Sequence, residues 1–209
     1  MSSLKICFFQ ITNSSTEPYS KYSTLLNKRY CDKHGYDFKE YLNEIDKRKY
    51  HYTWCKIFQA KKILETENYD FIFFLDADAI IINTSIKLEE IILKMKTDIS
   101  FSENGVNGGE LISTGAFLAS KNTLNFFNRC IDLVNTDMQD KKFNYWHELA
   151  VVNKMYEEGW PMDIFDMNIM NSYGSLDVNH LGNQFLFHFQ GKPDEVKTTI
   201  AEEIFKKYG

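Results

Sequence analysis

The chain has 209 residues, a formal net charge of −5, and 44% hydrophobic and 25% charged residues. This length and balance predict a single globular domain over residues 1–209. They argue against a nucleic-acid binder, because such proteins carry a basic stripe and the basic clusters here, such as residues 47–49, 61–62 and 206–207, are short.

The four cysteines are scattered without a C-x-x-C pair. This spacing argues against a structural zinc site and a disulfide scaffold, and it favours a reduced compartment. No stretch approaches 18 apolar residues, and residues 1–5 lack a signal-peptide pattern. We therefore expect no transmembrane segment and a cytoplasmic location, which would be the host cytoplasm for a viral protein.

Strand and helix patterns alternate in the first half of the chain. Strands are predicted over residues 5–9, 36–42 and 71–75, with helices over 22–34 and 54–64 and a polar loop over 10–20. The continuous apolar run at 71–75 is typical of a strand covered on both faces. This alternation predicts an α/β fold with a mostly parallel central sheet flanked by helices.

The second half is less regular. Helices are predicted over residues 86–95, 122–134 and 148–157, and strands over 99–102, 116–119 and within 179–193. No internal repeat or linker divides the chain.

Asp76 and Asp78 interrupt an apolar sequence that continues from residue 71 to residue 82. On an extended chain, side chains two positions apart point to the same face, so these carboxylates would repel each other and lose hydration at the core edge. A divalent cation removes both problems, and oxygen ligands suit Mn²⁺ or Mg²⁺. The motif therefore predicts a metal site beyond the carboxyl end of a strand. Alternatively, Asp76 caps a turn or helix and Asp78 faces water.

His188 lies within the aromatic run at residues 185–189, and Gly191 and Lys192 follow shortly after it. A histidine can bind a metal, a glycine lets the backbone approach a phosphate, and a lysine adds a positive charge. Together they predict a site that binds a diphosphate. The alternatives are a core histidine and a solvated surface lysine.

Glu148 lies at the start of a predicted helix, where a carboxylate could orient or deprotonate an acceptor hydroxyl. It could equally complement the helix dipole. Residues 113–116, Ser-Thr-Gly-Ala, are interpreted either as packing or as a wall of a sugar pocket.

Four short motifs, in the same order, resemble the galactosyl-, mannosyl- and xylosyltransferases of fungal mannan and plant xyloglucan synthesis. They are Asn27-x-x-Tyr30-x-x-x-His34-Gly35-Tyr36, Trp54-x-Lys56, Asp76-Ala77-Asp78-Ala79 with Asn83, and His188-Phe189-x-Gly191-Lys192. The resemblance covers most of the chain. A compact form without a membrane anchor is also similar to small virus-encoded glycosyltransferases of algal viruses.

The resemblance implies a GT-A (Rossmann-like) fold, a nucleotide-diphosphate sugar donor with a UDP-sugar foremost, Mn²⁺ (or Mg²⁺), and a glycan or glycoprotein acceptor. The residues that it assigns to the metal are Asp76, Asp78 and His188. Those that it assigns to the donor are Asp76, Ala77, Asp78, Gly191 and Lys192. Lys56 matches a family position, with a structural role as the alternative. Gln10 and Thr12 are placed by the base and ribose from their position just after the first strand alone. Residues up to about 100 would form a nucleotide-binding half, and about 101–209 a smaller, irregular acceptor-side half with a specificity loop at 104–110. The chain could also be one domain of a larger glycosylation protein.

The predicted catalytic residues are Asp76, Asp78 and Glu148, with the metal stabilising the departing diphosphate and Glu148 assisting the acceptor hydroxyl. Residues 146–149, Trp-His-Glu-Leu, are similar to the Trp-His-Asp-Glu of retaining blood-group-type transferases, but Leu149 replaces their second carboxylate. Retention or inversion therefore stays open.

Two other functions are compatible with Asp-x-Asp after an apolar strand. One is a phosphatase of the haloacid-dehalogenase type, although its nucleophile strand normally lies near the N-terminus and a later Asp-Asp pair is missing here. The other is a non-catalytic metal- or sugar-binding module.

Overall fold

The computed structural model describes residues 4–46, 48–104, 112–136, 147–170 and 184–209. Its strands are β1 (Ile6–Thr12), β2 (Asp37–Leu42), β3 (Phe71–Leu75), β4 (Ala79–Ile81), β5 (Ile99–Glu103), β6 (Ile112–Ser120), β7 (Asp163–Phe165) and β8 (Leu186–His188). Its α-helices are α1 (Glu17–His34), α2 (Cys55–Thr66), α3 (Leu88–Ile92), α4 (Leu124–Thr136), α5 (Glu148–Glu157), α6 (Met167–Met170) and α7 (Asp194–Tyr208).

Six strands form a central sheet in the order β2-β1-β3-β6-β5-β7. Strand β1 runs parallel to β2 and β3, and β5 runs parallel to β7, whereas β6 is antiparallel to both of its neighbours. Strands β4 and β8 form a separate antiparallel pair in which Ala79 lies opposite His188. The mostly parallel sheet predicted from the sequence is confirmed, with β6 as the antiparallel insertion.

Adjacent side chains of the central strands pack into different hydrophobic clusters. In β3, Phe74 joins a cluster with helices α2, α4 and α5, while Phe73 joins a cluster with α1 and β8. Both side chains are almost fully buried. The uninterrupted apolar sequence of this strand is therefore explained by helices on both faces of the sheet.

Several predicted elements have different bounds in the structure. Strand β1 extends to Thr12, opposite Leu42 of β2, whereas the sequence placed residues 10–12 in a loop. Helix α3 is shorter than the predicted 86–95, and β6 is longer than 116–119. Helix α1 does end at His34, and Gly35 follows with a left-handed φ of 77°, as the glycine predicted.

Helix α7 was not predicted, although its sequence carries a helical signal. Val196, Ile200 and Ile204 recur at four-residue intervals, and Pro193 with Asp194 marks a start. These apolar residues pack in a third cluster with Leu26 of α1. The helix thereby lies against α1, next to the turn between β3 and β4.

All four cysteines are free thiols. Within the described ranges, no helix is both long enough and apolar enough to cross a membrane.

Asn27 of α1 connects this helix to β4 through its fully buried amide. Its Nδ2 donates to the carbonyl oxygen of Ala79 at 3.0 Å and to Gln10 Oε1 at 3.3 Å, and its Oδ1 accepts from the amide of Ile81 at 2.9 Å. Buried backbone groups are costly when they lack partners, so this one side chain fixes β4 against α1.

Asn27→Ala is expected to lower the free energy of unfolding by about 2 kcal/mol or more, because it leaves buried polar groups unpaired. Urea unfolding followed by circular dichroism measures this loss. The control is Lys28→Ala on the same helix, which removes an exposed ion pair to Asp32 and should change stability by less than about 1 kcal/mol. Equal stability of Asn27→Ala and the wild type would show that these bonds contribute little.

Candidate active site

Residues 76–78 form a turn between β3 and β4 at the carboxyl-terminal edge shared by the parallel strands β1 and β3. The amide of Ala79 donates to the carbonyl oxygen of Asp76 at 3.1 Å, and the amide of Asp76 donates to the carbonyl oxygen of Gly115 at 2.8 Å. The sequence interpretation of two aspartates on an extended chain is therefore wrong, because the strand ends at Leu75. The turn nevertheless brings both carboxylates together.

Three buried polar side chains hold this turn through its carbonyl oxygens. The bonds are Gln10 Nε2 to Asp76 O at 3.2 Å, Ser23 Oγ to Ala77 O at 2.6 Å, and Asn27 Nδ2 to Ala79 O at 3.0 Å. Gln10 is fully buried beneath the turn. The bonds of Gln10 therefore make it a support for the turn at residues 76–78.

Asp76, Asp78 and His188 place three potential ligand atoms within 4.8 Å of one another. His188 Nε2 lies 3.1 Å from Asp78 Oδ1 and 3.9 Å from Asp76 Oδ2. Ligand atoms of an octahedral Mg²⁺ are about 3 Å apart when adjacent and about 4 Å apart when opposite, given its ligand distances of about 2.0–2.1 Å. Two carboxylates and a buried imidazole at these separations fit a divalent cation such as Mn²⁺ or Mg²⁺.

Lys56 is a buried cation at the start of α2 and lies between two carboxylates. Its Nζ lies 2.9 Å from Asp76 Oδ1, 3.1 Å from Glu148 Oε1 and 3.2 Å from the carbonyl oxygen of Thr114. Burial acts to lower the pKa of Lys56, but Asp76 and Glu148 raise it above its usual value. The ammonium therefore stays charged, with all three of its donors engaged within the protein.

Lys197 of α7 is a second cation at the turn, and sequence analysis missed it. Its Nζ donates to Asp78 Oδ2 at 2.6 Å, and its side chain is 14% exposed. Burial acts to raise the pKa of Asp78, but His188 and Lys197 hold it below its usual range. Burial raises the pKa of Asp76, which is the more exposed of the two carboxylates.

Glu148 lies in the first turn of α5 and is almost completely buried. Its Oε1 accepts a hydrogen bond from Thr114 Oγ1 at 2.8 Å and faces the Lys56 ammonium. The side chain of Thr53 also bonds to this carboxylate. Burial acts to raise the pKa of Glu148, but the Lys56 ammonium holds it below its usual range. The side chain is therefore an ionised carboxylate, fixed by Lys56 and Thr114.

Two cavities meet at Asp76 and Lys56, which line both. The larger has a volume of about 670 Å³ and also contains Asp78, His188 and Lys197 in its wall. The smaller has a volume of about 160 Å³ and is lined by Glu148 and by residues 113–115 of β6. The larger volume is within the range of about 300–1,000 Å³ found for small-molecule sites.

The remaining predicted donor residues occupy different environments. Ala77 and Gly191 line the larger cavity, whereas Lys192 is exposed and outside its wall. Thr12 is buried and donates to Glu40 at 2.8 Å, away from the cavity. The neighbours of Thr12 in sequence, Ile11 and Asn13, line the cavity instead.

Two acceptor-side predictions fall mainly outside the described residues. Trp146 lies outside them, as do residues 105–110 of the predicted specificity loop. Asn104, at the start of that loop, lines the smaller cavity.

The first half of the chain matches one family. Residues 6–106 match the galactosyl transferase GMA12/MNN10 family. This segment contains Lys56 and the turn at residues 76–78. No curated protein matches the chain in sequence.

Three solved structures of glycosyltransferases resemble the fold over nearly the whole chain. A glycosyltransferase involved in glycosylation of the major capsid of PBCV-1 has a TM-score of 0.73 and 18% identity, covering 95% of this chain and 99% of that chain. Mouse xyloside xylosyltransferase 1 has a TM-score of 0.59 and 9% identity, covering 90% and 98%. The galactosyltransferase LgtC, in complex with donor and acceptor sugar analogs, has a TM-score of 0.56 and 12% identity, covering 94% and 95%.

At these identities the structural likeness establishes the fold, which is the GT-A fold that the resemblance implied. The family match adds the enzyme class and disfavours both the phosphatase and the non-catalytic module. The protein is a GT-A glycosyltransferase, and its segment 6–106 matches the galactosyl transferase GMA12/MNN10 family.

Proposed function

We propose that the protein transfers a glycosyl group from a nucleoside diphosphate sugar, in a reaction that depends on a divalent cation, to a hydroxyl of a glycan or glycoprotein. The observation that carries this proposal is the convergence of Asp76, Asp78 and His188 in the wall of the larger cavity. The donor occupies this cavity, and the acceptor enters through the smaller one beside Glu148. Residues up to about 100 thus form most of the donor-binding half.

Asp76, Asp78 and His188 are the residues that would hold Mn²⁺ or Mg²⁺. The bound cation supplies positive charge that stabilises the diphosphate as it leaves. Lys56 fixes Asp76, and the backbone of Gly191 lines the same cavity. UDP is the foremost nucleotide, because the family resemblance implies a UDP-sugar.

Glu148 lines the smaller cavity and orients the acceptor hydroxyl there. A general base is most effective when its pKa lies near the working pH, and the pKa of Glu148 is held below its usual range. This electrostatic environment favours orientation of the hydroxyl over its deprotonation. Either anomeric outcome is compatible with such a role.

Asp78→Asn is expected to reduce metal-dependent turnover of the donor by about 100-fold or more, because it removes a charged metal ligand. UDP-sugars and GDP-sugars are incubated with Mn²⁺, and the released nucleoside diphosphate is quantified with and without EDTA. Asp32→Asn, on the exposed face of α1, is the matched control and should keep wild-type turnover.

Two results would contradict the proposal. One is turnover of nucleotide sugars that persists in EDTA and in Asp78→Asn. The other is release of inorganic phosphate from simple phosphoesters without turnover of any nucleotide sugar, which would favour the phosphatase.

Gly115 of β6 has no side chain, and the space beside it is occupied by the side chains of His188 and Asp76. A Cβ at this position would lie 2.2 Å from His188 Cε1, 2.8 Å from His188 Nδ1 and 3.1 Å from Asp76 Oδ2. Since the first two distances are shorter than normal contacts, the imidazole would have to move. A glycine here therefore keeps His188 and Asp76 within reach of one cation.

Gly115→Ala is expected to weaken Mn²⁺ binding by about tenfold or more, because displaced ligands lose their coordination geometry. Mn²⁺ affinity is measured by electron paramagnetic resonance, and thermal unfolding of the metal-free protein reports any general loss of stability. Wild-type Mn²⁺ affinity in a folded Gly115→Ala protein would argue against His188 as a ligand.

Glu148→Gln is expected to reduce transfer to the acceptor by about 10- to 100-fold while leaving nucleotide binding within about twofold, because its role lies on the acceptor side. Transfer and UDP binding are measured on the same preparation. Glu157→Gln, at the exposed end of the same helix, is the control. Equal loss of nucleotide binding and transfer in Glu148→Gln would assign Glu148 to the support of Lys56.

A further inference from the structure

We propose that Lys197 is the side chain that binds the donor diphosphate, and that it is the counter-ion of Asp78 before the nucleotide arrives. This inference rests on the proposed function, because it assigns a role within the same donor site. It concerns a residue of α7 that none of the four sequence motifs contains.

The position of Lys197 combines burial with access to the cavity. Its ammonium donates to Asp78 Oδ2 at 2.6 Å, lies 5.2 Å from the centre of the Tyr19 ring, and lines the larger cavity. A lysine ammonium has three donors, and one is used by Asp78 among the described residues. Two donors therefore remain for oxygen atoms of a ligand in this cavity.

The two other lysines of the predicted donor site are less suited to this role. All three donors of Lys56 are engaged by Asp76, Glu148 and the carbonyl oxygen of Thr114. Lys192 is exposed and lies outside the cavity wall. Among these lysines, Lys197 alone combines a place in the wall with unused donors.

The charge of Lys197 affects metal binding and nucleotide binding in opposite directions. The described carboxylates Asp76, Asp78 and Glu148 face the ammonium groups of Lys56 and Lys197, which leaves one negative charge. A cation held by Asp78 would be repelled by the Lys197 ammonium, which donates to Oδ2 of the same carboxylate. A diphosphate bound to that cation is attracted by the same ammonium.

Lys197→Met retains much of the side-chain volume and removes the charge. We expect its affinity for Mn²⁺ alone to rise about threefold or more, because a repelling charge is lost. We expect its affinity for UDP at saturating Mn²⁺ to fall about tenfold or more, because a charge-assisted hydrogen bond is lost. Lys197→Arg keeps the charge and should retain more of the UDP affinity than Lys197→Met.

Mn²⁺ binding is measured by electron paramagnetic resonance, and UDP and GDP binding at saturating Mn²⁺ by titration calorimetry. The matched control is Lys206→Met, an exposed lysine on the same helix that pairs with Glu202. It should resemble the wild type in every titration. Thermal unfolding establishes that each variant is folded.

The outcomes separate this inference from the proposed function. A wild-type protein that binds neither UDP nor GDP with Mn²⁺ would contradict the proposed function, and this inference with it. Wild-type nucleotide binding that is unchanged in Lys197→Met would overturn the inference alone. Loss of both Mn²⁺ and UDP affinity would overturn it as well, since Lys197 would then only position Asp78.

Discussion

The concentration of carboxylates at one edge of the sheet is the constraint on which the site depends. Asp76, Asp78 and Glu148 are held close together in surroundings that exclude much of the solvent. Such groups repel one another unless cations compensate them. Lys56 spans Asp76 and Glu148, and Lys197 pairs with Asp78. The remaining negative charge and His188 together form a group that could hold a divalent cation.

The fold fixes the positions of the charged side chains at the turn. The turn at residues 76–78 is fixed from beneath by Gln10, Ser23 and Asn27, which come from β1 and α1. These side chains use backbone carbonyl oxygens, so the carboxylates of the turn stay available to ligands. Because parallel strands end at a common edge, β1 and β3 bring Ile11 and Asn13 to the same cavity as the turn at residues 76–78.

The predictable parts of the structure were those with a local signal. The apolar run of β3, the helical spacing of α5 and the glycine after α1 each fix their element within a few residues. The Asp76–Asp78 pair and His188 were found because carboxylates and imidazole are conspicuous in apolar surroundings. Lys197 was not found, because its partner lies 119 positions away and the packing of α7 on α1 decides the contact.

The assignments of Gln10 and Thr12 show a related limit of sequence reasoning. Position after a strand suggested that both would face the nucleotide, yet β1 continues to Thr12 and alternates its side chains. Ile11 and Asn13 line the cavity, while Gln10 and Thr12 are buried on the other side of the strand.

Lys56 links the two cavities of the site, because it bonds to Asp76, which lines both, and to Glu148, which lines the smaller one. Residues that share a buried partner do not contribute independently. When Asp76 binds a cation, less of its negative charge is left to Lys56, and the attraction between Lys56 and Glu148 grows in relative importance. Under the proposed function, donor binding and the alignment of Glu148 would thereby be coupled through one buried ammonium.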